Sequence, residues 1–319
     1  MESSFSSRFR ADIDALIPPS ARIGIAVSGG PDSLALLLLA AEVRPSAIEA
    51  ATVDHALRPE SRDEAETVAR ICERIGVPHA ILMADWPEKP ESALQERARA
   101  MRYRLLGAWA RERGLAALAT AHHLDDQAET LLMRLARGAG VRGLAGMRAA
   151  SRTPDQSVPL IRPLLDWSHA ELETVCAAAG VSPFRDPSNE DEQFERVRVR
   201  RLLAATDWLD AKAVAASAAN LADADEALDW VVTREWNRAA AIAGETITYR
   251  PADAPPEIRR RIASRAILTL ATEGEGDLRG RELDQLLGTL AEGRTGTLRG
   301  VLCSGGEEWR FAKAPPRRP

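Results

Sequence analysis

Cysteine is scarce in this chain, and its three cysteines lie far apart in the sequence. Cys72, Cys176 and Cys303 form no CxxC pair, so the sequence indicates neither a structural zinc site nor a reactive dithiol. The longest apolar run, Leu34 to Ala41, is far shorter than the roughly 20 residues of a membrane span. The first residues carry acidic side chains and lack the apolar segment of a secretory signal. We therefore expect a globular protein of the reducing cytoplasm, with no membrane partner.

Lysine is also nearly missing, because all but three of the 42 basic residues are arginine. The net charge of −5 argues by itself against a nucleic-acid partner. The arginines nevertheless cluster, and guanidinium groups bind phosphate in a fork that lysine lacks. The clusters lie at 97–104, 134–148 and 196–201. Two interpretations stay open: a surface for RNA, or solvated helix faces in a protein encoded by GC-rich DNA.

A glycine turn separates an apolar segment from an apolar helix start within Arg22 to Leu39, RIGIAVSGGPDSLALLLL. The turn consists of Ser28, Gly29, Gly30, Pro31, Asp32 and Ser33. Adjacent glycines let backbone N–H groups turn toward one point, and the helix N-terminus adds the positive end of its dipole. This arrangement predicts a phosphate cradle, and the acidic Asp32 inside it predicts a Mg²⁺ ion between carboxylate and phosphates. The alternative is an ordinary strand-to-helix turn with Asp32 in the first helical turn.

The letters SGGPDS resemble the pyrophosphate-loop (PP-loop) motif of the N-type ATP pyrophosphatases. Those enzymes cleave ATP between its α- and β-phosphates. The Walker sequence Gly-Lys-Ser/Thr and a Rossmann glycine triplet are both missing from this turn.

Strand and helix patterns alternate at short spacing through residue 137. We predict strands at 47–53, 79–83 and 115–120, and helices at 60–75, 91–113 and beyond 121. This alternation predicts an α/β fold in which a parallel sheet is covered by helices on both faces. Three polar segments follow predicted strands: Ser28–Ser33, Asp54–His55 and Ala121–Asp126. They should meet at the rim formed by the carboxyl ends of the strands.

The segment TAHHLDDQAET, residues 120–130, places two histidines beside three carboxylates. In a helix that begins at Leu124, Asp126 and Glu129 share one face. Such acids can simply cap a helix, but the two histidines favour a site, and the HExxH metal spacing is missing. Arg102 on the preceding predicted helix adds a cation. Acidic side chains can bind the ammonium group of an amino acid, and a guanidinium can bind its carboxylate, so this set suits a zwitterionic amino acid.

Several segments together resemble one family, the tRNA(Ile)-lysidine synthases in their short form. They occur in the order SGGPDS, VDHALRPES, ARAMRY, TAHHLDDQAETLLMRLARGAGVRGLAGM, RPLL and DPSN. The resemblance covers residues 22 to 205 and is specific in combination. One departure is Val197, which stands where the family usually has Asn, so a side-chain hydrogen bond is lost there. The resemblance implies a doubly wound parallel sheet like that of the adenine nucleotide alpha hydrolases.

The implied activity is ATP-dependent ligation of free L-lysine to C2 of the wobble cytidine in tRNA(Ile) with a CAU anticodon. It proceeds through an adenylated cytidine and gives lysidine, AMP and pyrophosphate. ATP and Mg²⁺ are the implied cofactors, with Asp32 as metal ligand. The ATP-binding positions are Ser28, Gly29, Gly30, Pro31, Asp32, Ser33, Asp54 and His55. The lysine-binding positions are Arg102, Asp126 and Glu129, and the catalytic ones are Asp32, His122, His123 and Asp126.

The sequence pattern changes near Asp207, where an alanine-rich helical segment follows the alternating strands and helices. We expect a helical linker at 208–243, a strand at 246–249, helices at 256–272 and 279–290, and short strands at 296–301 and 308–311. This gives a catalytic domain at 1–205 and, at 206–319, the linker with a small α+β domain that contacts tRNA. The tRNA candidates are Arg137, Arg142, Arg196, Arg200, Arg259 and Arg260, with Arg261 and Arg265 on the same predicted helix. The alternative is that the small domain only stabilises the fold or forms a homodimer.

Three rival functions are weaker. A tRNA thiolase needs a reactive cysteine pair, which is missing. An ammonia-using amidotransferase needs a glutaminase, for which we expect no room ahead of the ATP-binding segment. A non-catalytic ATP-binding regulatory module leaves the histidines and acids of residues 122–129 unexplained, and it would release no pyrophosphate.

Overall fold

The computed structural model describes residues 4–56, 60–86, 94–184, 193, 195–271, 278 and 280–315. The chain divides into two compact units, Met1–Ala222 and Asp223–Pro319. The functional division at residue 205 stays a prediction. No helix of the described residues is both long and apolar enough to cross a membrane.

The first unit holds a six-stranded sheet with the spatial order β3-β2-β1-β4-β6-β5. Its strands are β1 Ile23–Ala26, β2 Ile48–Asp54, β3 His79–Met83, β4 Ala117–Ala119, β5 Ala150–Arg152 and β6 Pro159–Ile161. All neighbours pair in parallel except β5, which lies antiparallel to β6 at one edge. The predicted parallel α/β sheet is therefore confirmed.

Helices cover both faces of this sheet. The helices of this part of the chain are α1 Ser4–Asp14, α2 Pro31–Val43, α3 Glu60–Arg74, α4 Leu94–Glu112, α5 Leu124–Ala136, α6 Val141–Leu144, α7 His169–Ala178 and α8 Glu195–Ala204. Residues of α1, α2, α3 and α7 form one core with Ile23 and Ile25, whereas α4 packs on the opposite face. Gly24 faces α4, where an added Cβ would lie 2.6 Å from Trp109. A larger residue at this position would have to displace the Trp109 ring, so glycine fits the close packing of α4 against β1.

The chain reverses direction across the sheet between β1 and β4. The segments β1–α2–β2–α3–β3 run outward on one side of β1, and β4 then returns to pair with its other side. In open α/β sheets, ligands bind beyond the carboxyl ends of the strands at this reversal point. The loop after β1 and the loop after β4 therefore flank the expected binding crevice.

Two predicted boundaries in the C-terminal part were wrong. Helix α9, Ala211–Ala239, ends four residues early, and Ala240–Ala243 forms β7. The single strand predicted at 296–301 is a hairpin, because Arg299 and Gly300 have positive φ values of 51° and 67° and turn the chain. Consecutive positive φ values at the two central residues are typical of tight hairpin turns.

Among its described residues, the second unit has an antiparallel five-stranded sheet packed with α10 Pro256–Leu270, α11 Gly280–Ala291 and the C-terminal part of α9, in agreement with the expected small α+β fold. The strands of this sheet are β7 Ala240–Ala243, β8 Thr246–Tyr249, β9 Thr295–Leu298, β10 Val301–Ser304 and β11 Trp309–Lys313. The spatial strand order is β7-β8-β11-β10-β9. Ile247, Ile262, Leu290 and Phe311 are fully buried between helices and sheet.

Candidate active site

The glycine turn lies between β1 and α2, as the sequence predicts. Gly29 has φ +89°, a conformation that side chains rarely adopt. Its carbonyl accepts a 3.0 Å hydrogen bond from the backbone N–H of Phe184, whose ring lies against the turn. The Ser33 hydroxyl accepts from the Ser28 N–H at 3.1 Å and donates to the Gly30 carbonyl at 3.0 Å. These contacts hold the turn in one shape at the N-terminus of α2.

Asp32 lies in the first turn of α2 between two histidine rings. His169 Nδ1 is 2.7 Å from Asp32 Oδ1, and His123 Nε2 is 3.6 Å from Oδ2. Burial disfavours the charged carboxylate, but the two histidines outweigh it and hold the pKa of Asp32 well below its ordinary value. Asp32 is therefore ionised at neutral pH.

His123 ends the loop after β4 and is almost fully buried, with 5% of its side chain exposed. Burial lowers the pKa of His123, but Asp125, Asp32 and Asp126 outweigh burial and raise it to about 10. Hydrogen bonding to Asp32 likewise raises the pKa of His169. His123 is thus a cationic partner of the carboxylate at neutral pH, and the hydrogen bond to Asp32 favours the protonated form of His169.

His122 has the opposite character, although it is the neighbour of His123. Burial and the charges of Arg162, Arg99 and Arg196 lower its pKa to about 4, against the influence of Asp126. Its Nδ1 lies 2.9 Å from the Thr120 hydroxyl. His122 is therefore a neutral ring in an electropositive environment.

The acids at the start of α5 have structural partners. Asp126 Oδ2 accepts the backbone N–H of His123 at 3.2 Å, so this carboxylate caps the helix. Asp125 Oδ2 accepts the backbone N–H of His169 at 2.9 Å, which ties α5 to α7. Capping, which the sequence left open as an alternative, is thus one role of Asp126. Its predicted role in binding lysine stays a prediction.

Glu129 is fully buried and faces α8. Its carboxylate accepts from Arg200 Nε at 2.8 Å and lies 3.1 Å from Arg196 Nε. Burial raises the pKa of Glu129, and Arg200 opposes that change. The sequence assigned Glu129 to lysine and the two arginines to tRNA, yet the structure brings all three together. Val197, where the family usually has Asn, is a buried residue of the same helix.

Asp54 and His55 lie at the carboxyl end of β2. The buried Asp54 accepts from the Ala56 N–H at 2.9 Å and from the Ser61 hydroxyl at 2.6 Å. Burial and the charge of Arg102 lower the pKa of His55 to about 4. The exposed Arg102 is therefore near His55, and its role in binding lysine stays a prediction. Residues 57–59 of VDHALRPES and the DPSN segment at 186–189 lie outside the described residues.

The remaining tRNA candidates occupy varied environments. Arg137 pairs with Glu195, and Arg142 is exposed on α6. In the second unit Arg260 pairs with Asp284, and Arg259 donates to the Ala254 carbonyl at 2.6 Å. Their contacts with tRNA stay predictions.

Arg261, named beside those candidates, was a wrong choice. It is 6% exposed and pairs with Asp225, Asp229 and Glu257. A guanidinium enclosed by three carboxylates serves the fold of the second unit and is not available to phosphate. Arg265 stacks over the Trp236 ring at 4.5 Å.

His169 is the site residue that sequence reasoning missed. It is the first residue of α7, and Ser168 caps this helix through its hydroxyl, which accepts the Glu171 N–H. The Ser-x-x-Glu pattern signals a helix start. Nothing local connects that start to the glycine turn, which lies 137 residues earlier.

Asp32 fits a Mg²⁺ ion in the manner of nucleotide sites, which use one or two carboxylates and complete the shell with phosphate oxygens. Its side chain is 29% exposed, so the carboxylate can be reached from solvent. The nearest other donors, His123 and His169, are nitrogens, which this hard cation does not prefer. Asp32 is accordingly the residue that would hold the ion, with ATP supplying the other oxygens.

Comparison with known proteins agrees with this geometry. A family model described as a PP-loop domain matches residues 1–206, so the chain is a PP-loop protein. The tRNA(Ile)-lysidine synthase of Novosphingobium aromaticivorans is 49% identical over 318 residues, which cover 99% of this chain and 96% of that protein. The enzyme of the same name from Zymomonas mobilis is 43% identical, over 94% and 91% of the two chains. Within the PP-loop class, the chain belongs to the tRNA(Ile)-lysidine synthase family.

A solved structure shares the fold at low sequence identity. The U34-tRNA thiolase NcsA from Methanococcus maripaludis superposes with a TM-score of 0.57 and 18% identity, over 69% of this chain and 78% of that chain. This likeness supports the doubly wound architecture alone.

Proposed function

We propose that the protein ligates free L-lysine to C2 of the wobble cytidine of tRNA(Ile) with a CAU anticodon. The reaction consumes ATP, passes through an adenylated cytidine, and yields lysidine, AMP and pyrophosphate. The observation that carries this proposal is the 49% identity with a tRNA(Ile)-lysidine synthase along 96% of its length. The setting is the cytoplasm, where both tRNA and ATP are available.

The glycine turn and Asp32 supply the phosphate site. Fixed backbone dipoles at a helix N-terminus favour negative charge without reorganisation during the reaction. Mg²⁺ held by Asp32 would neutralise charge on the β- and γ-phosphates and so improve pyrophosphate as a leaving group. In this arrangement His169 and His123 would hold the Asp32 carboxylate in place.

Lysine is assigned to the acids of α5 and to Arg102. Asp126 would accept the ammonium, because its carboxylate lies at the helix start with 15% of its side chain exposed. Arg102 would bind the α-carboxylate from the rim at β2. Glu129 remains a lysine candidate only if the ligand displaces part of its pairing with Arg196 and Arg200.

His122 is the histidine suited to accept a proton. Its lowered pKa, about 4, leaves the ring neutral at pH 7, whereas His123 is protonated there. The arginines near His122 also favour an anion beside it, such as the phosphate of an adenylated cytidine. His122 would therefore lie between the reacting base and the incoming amine, with Thr120 orienting its ring.

The likeness to the thiolase NcsA suggests sulfur transfer as an alternative reaction. The cysteines of this chain do not favour it. Burial raises the pKa of Cys72 to about 12 and that of Cys176 to about 11. Cys303 is buried in the second unit, and burial raises its pKa to about 12 as well. Because the thiolate is the reactive species, none of the three is a ready sulfur nucleophile at neutral pH.

The decisive experiment incubates the full-length protein with ATP, Mg²⁺, labelled lysine and a tRNA(Ile) transcript bearing CAU. We expect acid-precipitable label, with AMP and pyrophosphate released in equal amounts. A transcript with uridine at the wobble position is the matched control and should take up no lysine. Sulfur transfer without lysine uptake, or nucleotide binding without pyrophosphate release, would overturn the proposal in favour of a thiolase or a regulatory module.

A further inference from the structure

Three ligand-type side chains converge beside the glycine turn from three separate helices. Asp32 comes from the first turn of α2, His123 immediately precedes α5, and His169 begins α7. One donor atom from each lies within 4.8 Å of the other two. Such convergence differs from an acidic surface cluster, because two of the three donors are imidazoles and His123 is buried.

Each imidazole has a second carboxylate near the ring nitrogen that does not face Asp32. His123 Nδ1 lies 3.3 Å from Asp125 Oδ2, and His169 Nε2 lies 3.7 Å from Glu173 Oε1. In both rings the other nitrogen faces Asp32. Metal-binding histidines usually direct their second nitrogen at a carboxylate, which orients the ring and makes it a better ligand. The His123 Nδ1 atom is buried and makes no well-aligned hydrogen bond among the described residues, so the Asp125 carboxylate at 3.3 Å is an acceptor near enough to orient this ring.

From this geometry we infer that the nucleotide-free protein binds a divalent transition-metal ion, such as Zn²⁺ or Co²⁺, through Asp32, His123 and His169, and that the ion displaces the protons from the ligating imidazole nitrogens into solvent. Two imidazoles and one carboxylate suit these ions, whereas Mg²⁺ prefers oxygen ligands throughout. Three protein ligands leave a fourth position open for water or a phosphate oxygen. Because Asp32 is also the proposed Mg²⁺ ligand, the transition-metal ion and Mg²⁺ with ATP would compete for one carboxylate.

The inference is tested without ATP, tRNA or lysine, so its failure would leave the proposed ligase activity untouched. Full-length, chelator-treated protein is titrated with Co²⁺ while its visible absorption is followed. A four-coordinate cobalt site gives strong visible bands that hexaaqua cobalt lacks. Zn²⁺ should then abolish these bands by displacement.

His169→Gln is the informative variant, because His169 is 44% exposed and its replacement leaves the buried His123 in place. Asp32→Asn, which keeps the side-chain shape, is the second variant. His79→Gln is the matched control: His79 lies on β3, where its Nε2 is 2.9 Å from the Thr52 hydroxyl and away from the glycine turn. Circular dichroism verifies that each variant is folded.

We expect the parent and His79→Gln to bind a single equivalent of Co²⁺ with the strong bands. His169→Gln and Asp32→Asn should bind it about a hundredfold more weakly or lose the bands. A parent that shows only the weak spectrum of six-coordinate cobalt would overturn the inference. Equal affinity in the parent and in both folded ligand variants would overturn it as well.

Discussion

Asp126→Asn separates two roles that one carboxylate can have in this site. Asp126 caps α5 by accepting the His123 N–H at 3.2 Å, and it is the proposed partner of the lysine ammonium. Asparagine keeps the shape and the acceptor oxygen, so the cap survives. The negative charge at the helix N-terminus is lost, which typically reduces stability by about 0.3–1 kcal/mol. His123 loses one of its three neighbouring carboxylates but keeps Asp32 and Asp125. The variant should therefore remain folded.

The effect on lysine should be much larger than the effect on the fold. A hydrogen bond to a charged group contributes about 1.5–3 kcal/mol. Since about 1.4 kcal/mol corresponds to a factor of ten, the KM for lysine should rise roughly ten- to a hundredfold. The KM for ATP should change little, because Asp32 and the glycine turn are intact.

The assay is steady-state incorporation of labelled lysine into tRNA, with lysine and ATP varied separately and stability measured by urea unfolding. Asp155→Asn is the matched control. Asp155 accepts from Thr153 and Ser157 in the loop that precedes β6, at the opposite end of the sheet strands from the site. If Asp126→Asn raises the KM for ATP instead, the carboxylate belongs to the nucleotide site. If neither KM moves, Asp126 is a helix cap only.

Four further outcomes are expected. Asp32→Asn should lower turnover about a hundredfold or more with the fold intact, and a parental rate of pyrophosphate release would refute its role. Acidification from pH 6.5 to 4 should destabilise the protein. Burial holds the pKa of His55 and His122 at about 4 in the folded protein, below the ordinary 6.5. Between these values the unfolded chain binds more protons than the folded protein, so acid favours unfolding. When His55 and His122 are both replaced by asparagine, the free energy of unfolding measured in urea should fall less steeply over this pH range. Arg261→Met should destabilise the second unit by about 3–5 kcal/mol in calorimetry, since a buried carboxylate loses its cation. A chain ending at Ala222 should keep ATP binding but lose tRNA affinity with a shallower salt slope, and unchanged affinity would remove the RNA role.

Strands β1 to β4 were predictable because each is an apolar run followed at once by a polar turn. The predicted strand at 79–83 matches β3 residue for residue, and α5 begins at Leu124 as expected. Strands β5 and β6 were missed, because three residues are too few to display an alternating pattern. Helix α1 carried a signal that was overlooked: Phe9 and Ile13 are four residues apart and both are fully buried.

The pairing of charges in the site was less accessible to sequence reasoning than the fold. The local spacing correctly placed Asp126 and Glu129 on one helix, but their partners come from elsewhere in the chain. Glu129 meets Arg196 and Arg200 of α8, about 70 residues further on. A buried carboxylate needs a cationic partner, but the sequence contains many arginines and does not indicate which of them pairs with Glu129.

The adjacent histidines illustrate why site chemistry depends on tertiary contacts. His122 and His123 are identical in type and share one loop, so the sequence could not decide which is the base. Three carboxylates surround His123 and raise its pKa to about 10, whereas burial and nearby arginine charges lower that of His122 to about 4. His123 lies among acidic side chains of α2 and α5, whereas His122 lies near basic side chains to which α4 and α8 contribute. Because the two rings lie at the reversal point of the sheet, beyond β4, one is neutral and the other is cationic at neutral pH.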